Sequence, residues 1–209
     1  MADRMDPFEG EPETTREAIM QATYDALAKH GYTDLTIQRI GDEFDKSKSL
    51  LYHHYDSKDA LLIDFLGFML EEMADDVPFE EQPNAHQQLV FAYDHVFGNL
   101  LSADRRAFIR AVVELRAQGA HDDAFREQFT ANEAFLRSRL VEIIERGIDE
   151  GIFRAVDPDR VADMLLTVID GAFIRHTTVE DADLDAVHEE LEEYLRLRLL
   201  ADDAPATDD

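Results

Sequence analysis

Residues 45–62 read "DKSKSLLYHHYDSKDALL". Lys46, Lys48 and Lys58, three of the chain's four lysines, fall within thirteen positions of this stretch, in a 209-residue sequence whose 47 acidic residues outnumber its 20 basic ones. Asp45 and Lys46 form a break. Ser47 can then cap a short helix running to Tyr52 or His54, and Ser57 can cap a longer one whose inner face is Leu61, Leu62, Phe65, Met69 and Met73. A short helix entered through one tight turn and left through another reads as part of a helix-turn-helix, so this stretch decides the fold.

Upstream, the spacing of Ile19, Ala22, Thr23, Ala26 and Leu27 predicts a helix over 15–30, capped by Thr14 or Thr15 and ended by Gly31. Ile37, Ile40 and Phe44 predict a short helix over about 36–44. Downstream, "DDVPFEEQPNA" (75–85) interrupts the period with two prolines. Longer helices are then expected at about 84–101, 103–118, 122–149, 158–177 and 183–199. In "DEGIFRAVDPD" (149–159), Gly151 can end one helix and Pro158 can open the next. No strand alternation, hairpin turn or internal repeat is evident. The expectation is an all-α chain of about nine helices. It comprises a flexible tail (1–13), a three-helix helix-turn-helix domain (14–60), a larger helical domain (61–200) and an acidic tail (201–209).

The net charge of −27 argues for a solvated, self-repelling surface rather than general affinity for polyanions. With sixteen arginines to four lysines, it suits a halophilic, concentrated-salt cytoplasm in which screening removes most of the repulsion. The absence of cysteine excludes disulfides, thiolate metal sites and cysteine nucleophiles. "MADRMDPFEGEPETT" lacks the apolar core of a signal peptide, and no apolar run approaches the roughly 18 residues that span a bilayer. A cytoplasmic protein without a membrane partner is expected.

No HExxH, glycine-rich phosphate loop or serine elbow appears, and His53 and His54 are adjacent rather than a helical turn apart. His121-Asp122-Asp123 reads as a capped, solvated turn at a helix start. No enzyme activity, cofactor or metal site is expected.

Within so acidic a chain, the lysine cluster admits three readings: a DNA contact, a solubilising helix surface, or a protein-binding helix. As a DNA contact, the start of the second short helix would meet base edges and its later side chains would meet phosphate. Lys46, Lys48 and Lys58 supply charge, helix starts at Ser47 and Ser57 supply free amides, and Tyr52, His53 and His54 supply hydrogen-bond donors.

The pattern "TTREAIMQATYDALAKHGYTDLTIQRIGDEF" (14–44), continued by "DKSKSLLYHHYDSKDALL", resembles the AcrR-like N-terminal domain of the TetR family of transcriptional regulators. Gly31-Tyr32, Thr36, Ile40, Ser47, Leu51-Tyr52, Tyr55 and Ser57-Lys58 all stand in the family's order and spacing. The resemblance implies a groove-facing set of Lys48, Ser49 and Leu50, a phosphate-contacting set of Thr36, Tyr52, His54 and Lys58, and a core aromatic at Tyr55. Where the family commonly has Ala-Gly-Val, this chain has Phe44, Asp45 and Lys46, and Lys46 either snorkels outward or extends the phosphate surface.

"FIRAVVELRAQGAHDDAFREQF" (108–129) and "IIERGIDEGIFRAVDPDRVADMLLTVIDGAF" (143–173) resemble the BetI-type C-terminal subgroup of the same family. Val161, Leu165, Val168, Ile169 and Ala172 recur at helical spacing, as do Leu184, Val187, Leu191, Tyr194 and Leu195. Each stripe fits intramolecular core. The resemblance implies instead that these two helices pair with their twins in a homodimer, with Gly171 permitting close backbone approach.

Phe65, Met69, Phe91 and Phe129, with His95, Asn99, Arg110, Arg116 and His176 as polar anchors, are candidates for a small-molecule effector site; each is also explicable as core or surface. The resulting expectation is a repressor released from a palindromic double-stranded operator by an effector. The alternatives are a helical protein-interaction module and a DNA-binding regulator that needs no ligand.

Overall fold

Thr14 opens the first helix with a reciprocal cap. Its hydroxyl accepts from the Glu17 N–H at 3.1 Å, while the Glu17 carboxylate accepts from the backbone of Thr14. The computed structural model describes Phe8 and residues 11–76, 82–101 and 105–201, without the side chains of 73–76 and 99–101. Among these residues the architecture is all-α, with nine helices: α1 (Thr15–Asp34), α2 (Ile37–Asp42), α3 (Lys48–His54), α4 (Lys58–Asp76), α5 (Ala85–Leu101), α6 (Arg106–Gln118), α7 (Asp123–Asp149), α8 (Pro158–Thr178) and α9 (Leu184–Arg198).

Local chemistry sets most of the boundaries. Thr36, Ser47, Asp157 and Asp183 each cap a helix start with a side-chain oxygen. Asp122 caps α7 by accepting from the Ala124 and Phe125 amides at 2.9 and 3.2 Å, which makes the His121-Asp122-Asp123 segment the capped turn expected of it. Gly31 interrupts α1 at φ 68°, ψ 171°, a region that only glycine enters at low cost. The interruption is held from outside: the Glu114 carboxylate on α6 accepts from the Tyr32 N–H at 2.9 Å and lies 3.3 Å from where a Cβ on Gly31 would stand.

The described chain divides into two compact units. The first joins Met1–Val77 with Ser102–Asn132, and its core gathers Ile19, Met20, Leu27, Ile40, Leu51 and Phe65 with Leu115 and Phe125. Phe8, within the stretch expected to be a tail, stacks on Phe68 at 5.9 Å and meets the Tyr24 ring at a tilt at 5.5 Å. The rest of the 1–13 expectation, and nearly all of 201–209, falls largely outside the described residues. The second unit joins Pro78–Leu101 with Glu133–Asp209, and in it α5, α8 and α9 pack on one another. Its connector returns to the end of α9 through backbone bonds from Arg154 to Leu199 and from Ala201 to Ile152.

Replacing Gly31 with alanine is expected to cost about 1–3 kcal/mol, because the new side chain must hold a glycine-only backbone angle while crowding Glu114. Urea denaturation of the variant beside the native chain measures it.

Candidate nucleic-acid interface

Helix α3 has seven residues and one fully buried side chain, Leu51, at 0% exposure. Around that anchor the surface is open. Asp45, Lys46, Ser47, Lys48 and Ser49 are exposed before it, Tyr52, His53 and His54 after it, and Leu50 is half-buried. Tyr52, at 59% exposure, has no packing role that would account for an aromatic ring.

The turn between α2 and α3 is anchored by Phe44, which is buried, and Asp45 does not adopt a positive φ. The turn therefore has no need of glycine, which explains how Phe44-Asp45-Lys46 can stand where Ala-Gly-Val is common. Lys46 points outward. At the crossing of the two helices, a Cβ on Gly41 would meet Lys48 Cγ at 3.0 Å and Leu51 Cδ1 at 3.4 Å, so glycine lets the stem of Lys48 lie against α2.

Lys48 and Lys58 are engaged within the chain. Lys48 Nζ donates to Asp42 Oδ1, and that bond holds the Asp42 carboxyl below the usual carboxylate range. Lys58 Nζ sits 4.0 Å from the centre of the Tyr32 ring and 3.3 Å from the Tyr32 carbonyl, which ties the start of α4 to the end of α1. Thr36 is exposed, with its hydroxyl accepting from Arg39 N–H at 3.1 Å. Ser47 and Ser49 share a bond at 2.7 Å between their hydroxyls.

Sequence reasoning missed the network that fastens the end of α3. The Tyr55 hydroxyl donates to Asp64 Oδ2; Arg16 from α1 donates to Asp64 Oδ1 at 2.8 Å and reaches Glu71 at 3.0 Å. Partial burial alone would raise the Asp64 carboxyl, but hydrogen bonds from Arg16 and Tyr55 outweigh it and hold the group below its ordinary value. Burial, and then the bond to Asp64, push the Tyr55 phenol up. Arg16 and Asp64 are 48 positions apart, so no local spacing announces the pair.

The other site candidates are dispersed. Phe65 is buried in the core of the first unit, Met69 and Phe129 pack against it, Arg116 covers the Phe129 ring at 5.5 Å, and Arg110 is exposed. In the second unit Phe91 stacks on His95 at 6.3 Å along α5, and His176 is half-buried on α8. The Asn99 side chain lies outside the described residues. Of the two stripes, Val161, Leu165, Ala172, Leu184, Leu191 and Leu195 are buried inside the single chain. Val168, Ile169, Gly171, Val187 and Tyr194 keep exposed surface, a Cβ on Gly171 would meet nothing, and Ile174 and Leu197 are 46% and 54% exposed.

The model of the family described as "Bacterial regulatory proteins, tetR family" matches residues 19–65, and that of "BetI-type transcriptional repressor, C-terminal" matches residues 92–200. The chain belongs to the TetR family of transcriptional regulators. It is a DNA-binding regulator with a BetI-type C-terminal domain, and membership of this family makes it a regulator rather than an enzyme. It is similar to a TetR transcription regulator from Haloarcula marismortui, with 38% identity and a TM-score of 0.79 over 88% of this chain and 97% of that one. The HTH-type transcriptional repressor AcnR of Corynebacterium efficiens is 26% identical over 168 residues, 80% of this chain and 84% of that protein. A transcriptional regulator from Saccharomonospora viridis, solved in complex with choline, shares the fold at a TM-score of 0.75 with 20% identity, over 89% of this chain and 97% of that one. TetR-family regulators bind operator DNA as dimers. Among the described residues, no helix is long and apolar enough to cross a membrane.

Tyr55→Phe is expected to cost about 1–2 kcal/mol at neutral pH through loss of a bond to a charged acceptor. Asp64 has a folded value below its unfolded one, so its contribution is present above the ordinary carboxylate range and is lost as pH falls through the folded value. Asp64→Asn should therefore be less stable than the native chain at pH 7, with the gap closing below about pH 4. Denaturation series at both pH values test this.

Proposed function

We propose that this TetR-family chain is a homodimeric repressor that reads a palindromic operator through α3 and leaves it when a small molecule binds the regulatory half. The observation that carries the reading is the division of α3 and the turn before it between one wholly buried anchor, Leu51, and an outward set of Lys46, Ser47, Lys48, Ser49, Tyr52, His53 and His54. Lys48, Ser49 and Leu50 at the helix start are placed to meet base edges, where an ammonium donates to guanine and an aliphatic group packs on a thymine methyl. Thr36, Tyr52, His54 and Lys58 meet phosphate and fix the register.

The dimer is built on what the single chain leaves open. With the inner faces of α8 and α9 already packed, Val168, Gly171 and Ile174 on one helix and Val187, Tyr194 and Leu197 on the other form the remaining apolar stripe, with Ile169 beside it. A symmetric pairing of these helices presents two copies of α3 to one duplex, so the operator is palindromic. Repression by AcnR and the choline complex of the S. viridis protein support the sign and the class of effector. Effector and DNA oppose each other when they favour different arrangements of the dimer, and each weakens the other by the same factor.

Selection of bound duplexes from a random library, at about 0.2 M and at molar potassium chloride, tests the reading. The native chain is expected to enrich a palindrome and the Lys48→Ala/Tyr52→Phe variant none, with the native log K falling by about 0.9 per phosphate contact per log unit of salt. Failure to enrich at any salt concentration refutes it. Ile174→Glu, which sets a charge in the proposed interface, should shift the dimer to monomer by light scattering and leave helicity unchanged.

A further inference from the structure

Helices α5 and α9, both in the second unit, bring together Asp94, His188 and Glu192. One ligating atom from each lies within 4.8 Å of the others, and His188 Nε2 stands 2.8 Å from Asp94 Oδ1. His188 and Glu192 are four residues apart on α9 and project from one face; Asp94 comes across from α5. The group is braced from behind. The His188 ring lies against the rings of Tyr93 and Phe97, both buried, at 5.3 and 5.0 Å. Outer contacts of this kind fix the orientation of metal-ligating groups.

The His188–Asp94 bond by itself has an ordinary structural use. Glu192 changes the balance. Two carboxylates converge on one imidazole, and even a protonated ring leaves a net negative charge in the cluster. We propose that Asp94, His188 and Glu192 form a binding site for a divalent first-row metal ion of the zinc type, which clamps α9 to α5. One imidazole nitrogen and carboxylate oxygens, with no sulfur, suit zinc and its neighbours; the donors are too few for calcium, which takes six to eight oxygens. The Asp94 side chain is about half exposed, so the ion is reached from solvent and water completes its shell.

The site does not depend on the operator or effector reading. Calorimetric titration of the full chain with zinc chloride in molar potassium chloride, which suppresses diffuse binding to the acidic surface, is expected to give one ion per chain. Asp94→Asn and His188→Ala each weaken it at least tenfold, whereas Asp185→Asn, which removes an exposed carboxylate one turn earlier on α9, leaves it unchanged. Because His188→Ala also removes a packed ring, Asp94→Asn decides the matter. At a hundredfold excess of zinc over the native Kd, Tm should rise by about 6 °C in the native chain and in Asp185→Asn, and by no more than about half of that in Asp94→Asn. X-ray absorption should show an imidazole in the zinc shell of the native chain. Equal affinity in Asp94→Asn and Asp185→Asn, or a shell without imidazole, overturns the proposal.

Discussion

A helix of seven residues has too few internal hydrogen bonds to hold itself in water, and whatever this protein does to DNA depends on α3 being held from outside. Leu51 does most of this, sunk to zero exposure in a core that also contains Ile40 and Leu61. Truncating such a side chain typically costs about 2–5 kcal/mol, more than a helix of this length can replace. The second fastening is polar. Tyr55 closes α3 onto Asp64 of α4, and Arg16 of α1 shares the same carboxylate, so three helices meet at one ion-paired group. Because the anchor faces inward and the fastening lies at the far end, Tyr52, His53 and His54 on the outer face of α3 stay exposed.

The helices were legible in the sequence because their signals are local. The Thr14–Glu17 box, Gly31, Asp157-Pro158 and the apolar period lie within a few residues of the boundaries they set, and the structure places the nine helices close to where the period puts them. The link at 43–47 departs from the family's Ala-Gly-Val without strain, since Asp45 turns without a left-handed angle. Side-chain partners across long stretches of chain left no trace. Glu114 on Tyr32, Arg16 on Asp64 and His188 on Asp94 join residues 82, 48 and 94 positions apart. The two C-terminal stripes could not be divided either. A 3.6-residue period marks one side of a helix as apolar without saying whether the covering surface belongs to the same chain, and here Leu165 and Leu191 face their own chain while Ile174 and Leu197 do not. The effector candidates suffered from the same ambiguity, since aromatic rings at helical spacing serve a core as well as a cavity.

Asp42 resolves the apparent contradiction of a lysine-bearing reading helix on a chain of net charge −27. Its carboxylate occupies Lys48 in the free protein, offering the ammonium a charged oxygen that a phosphate matches and a neutral guanine acceptor does not. On the proposed reading, diffuse attraction to any duplex is thereby reduced, because the approaching backbone meets a neutralised lysine beside an acidic surface. The loss of Asp42 as a partner is then offset by the contacts that Ser49, Leu50 and Tyr52 make with the operator. Lys58 differs, resting on the Tyr32 ring and carbonyl where its charge is held without being neutralised. On the proposed reading, the Lys48–Asp42 pair lowers the part of binding that ignores sequence more than the part that reads it.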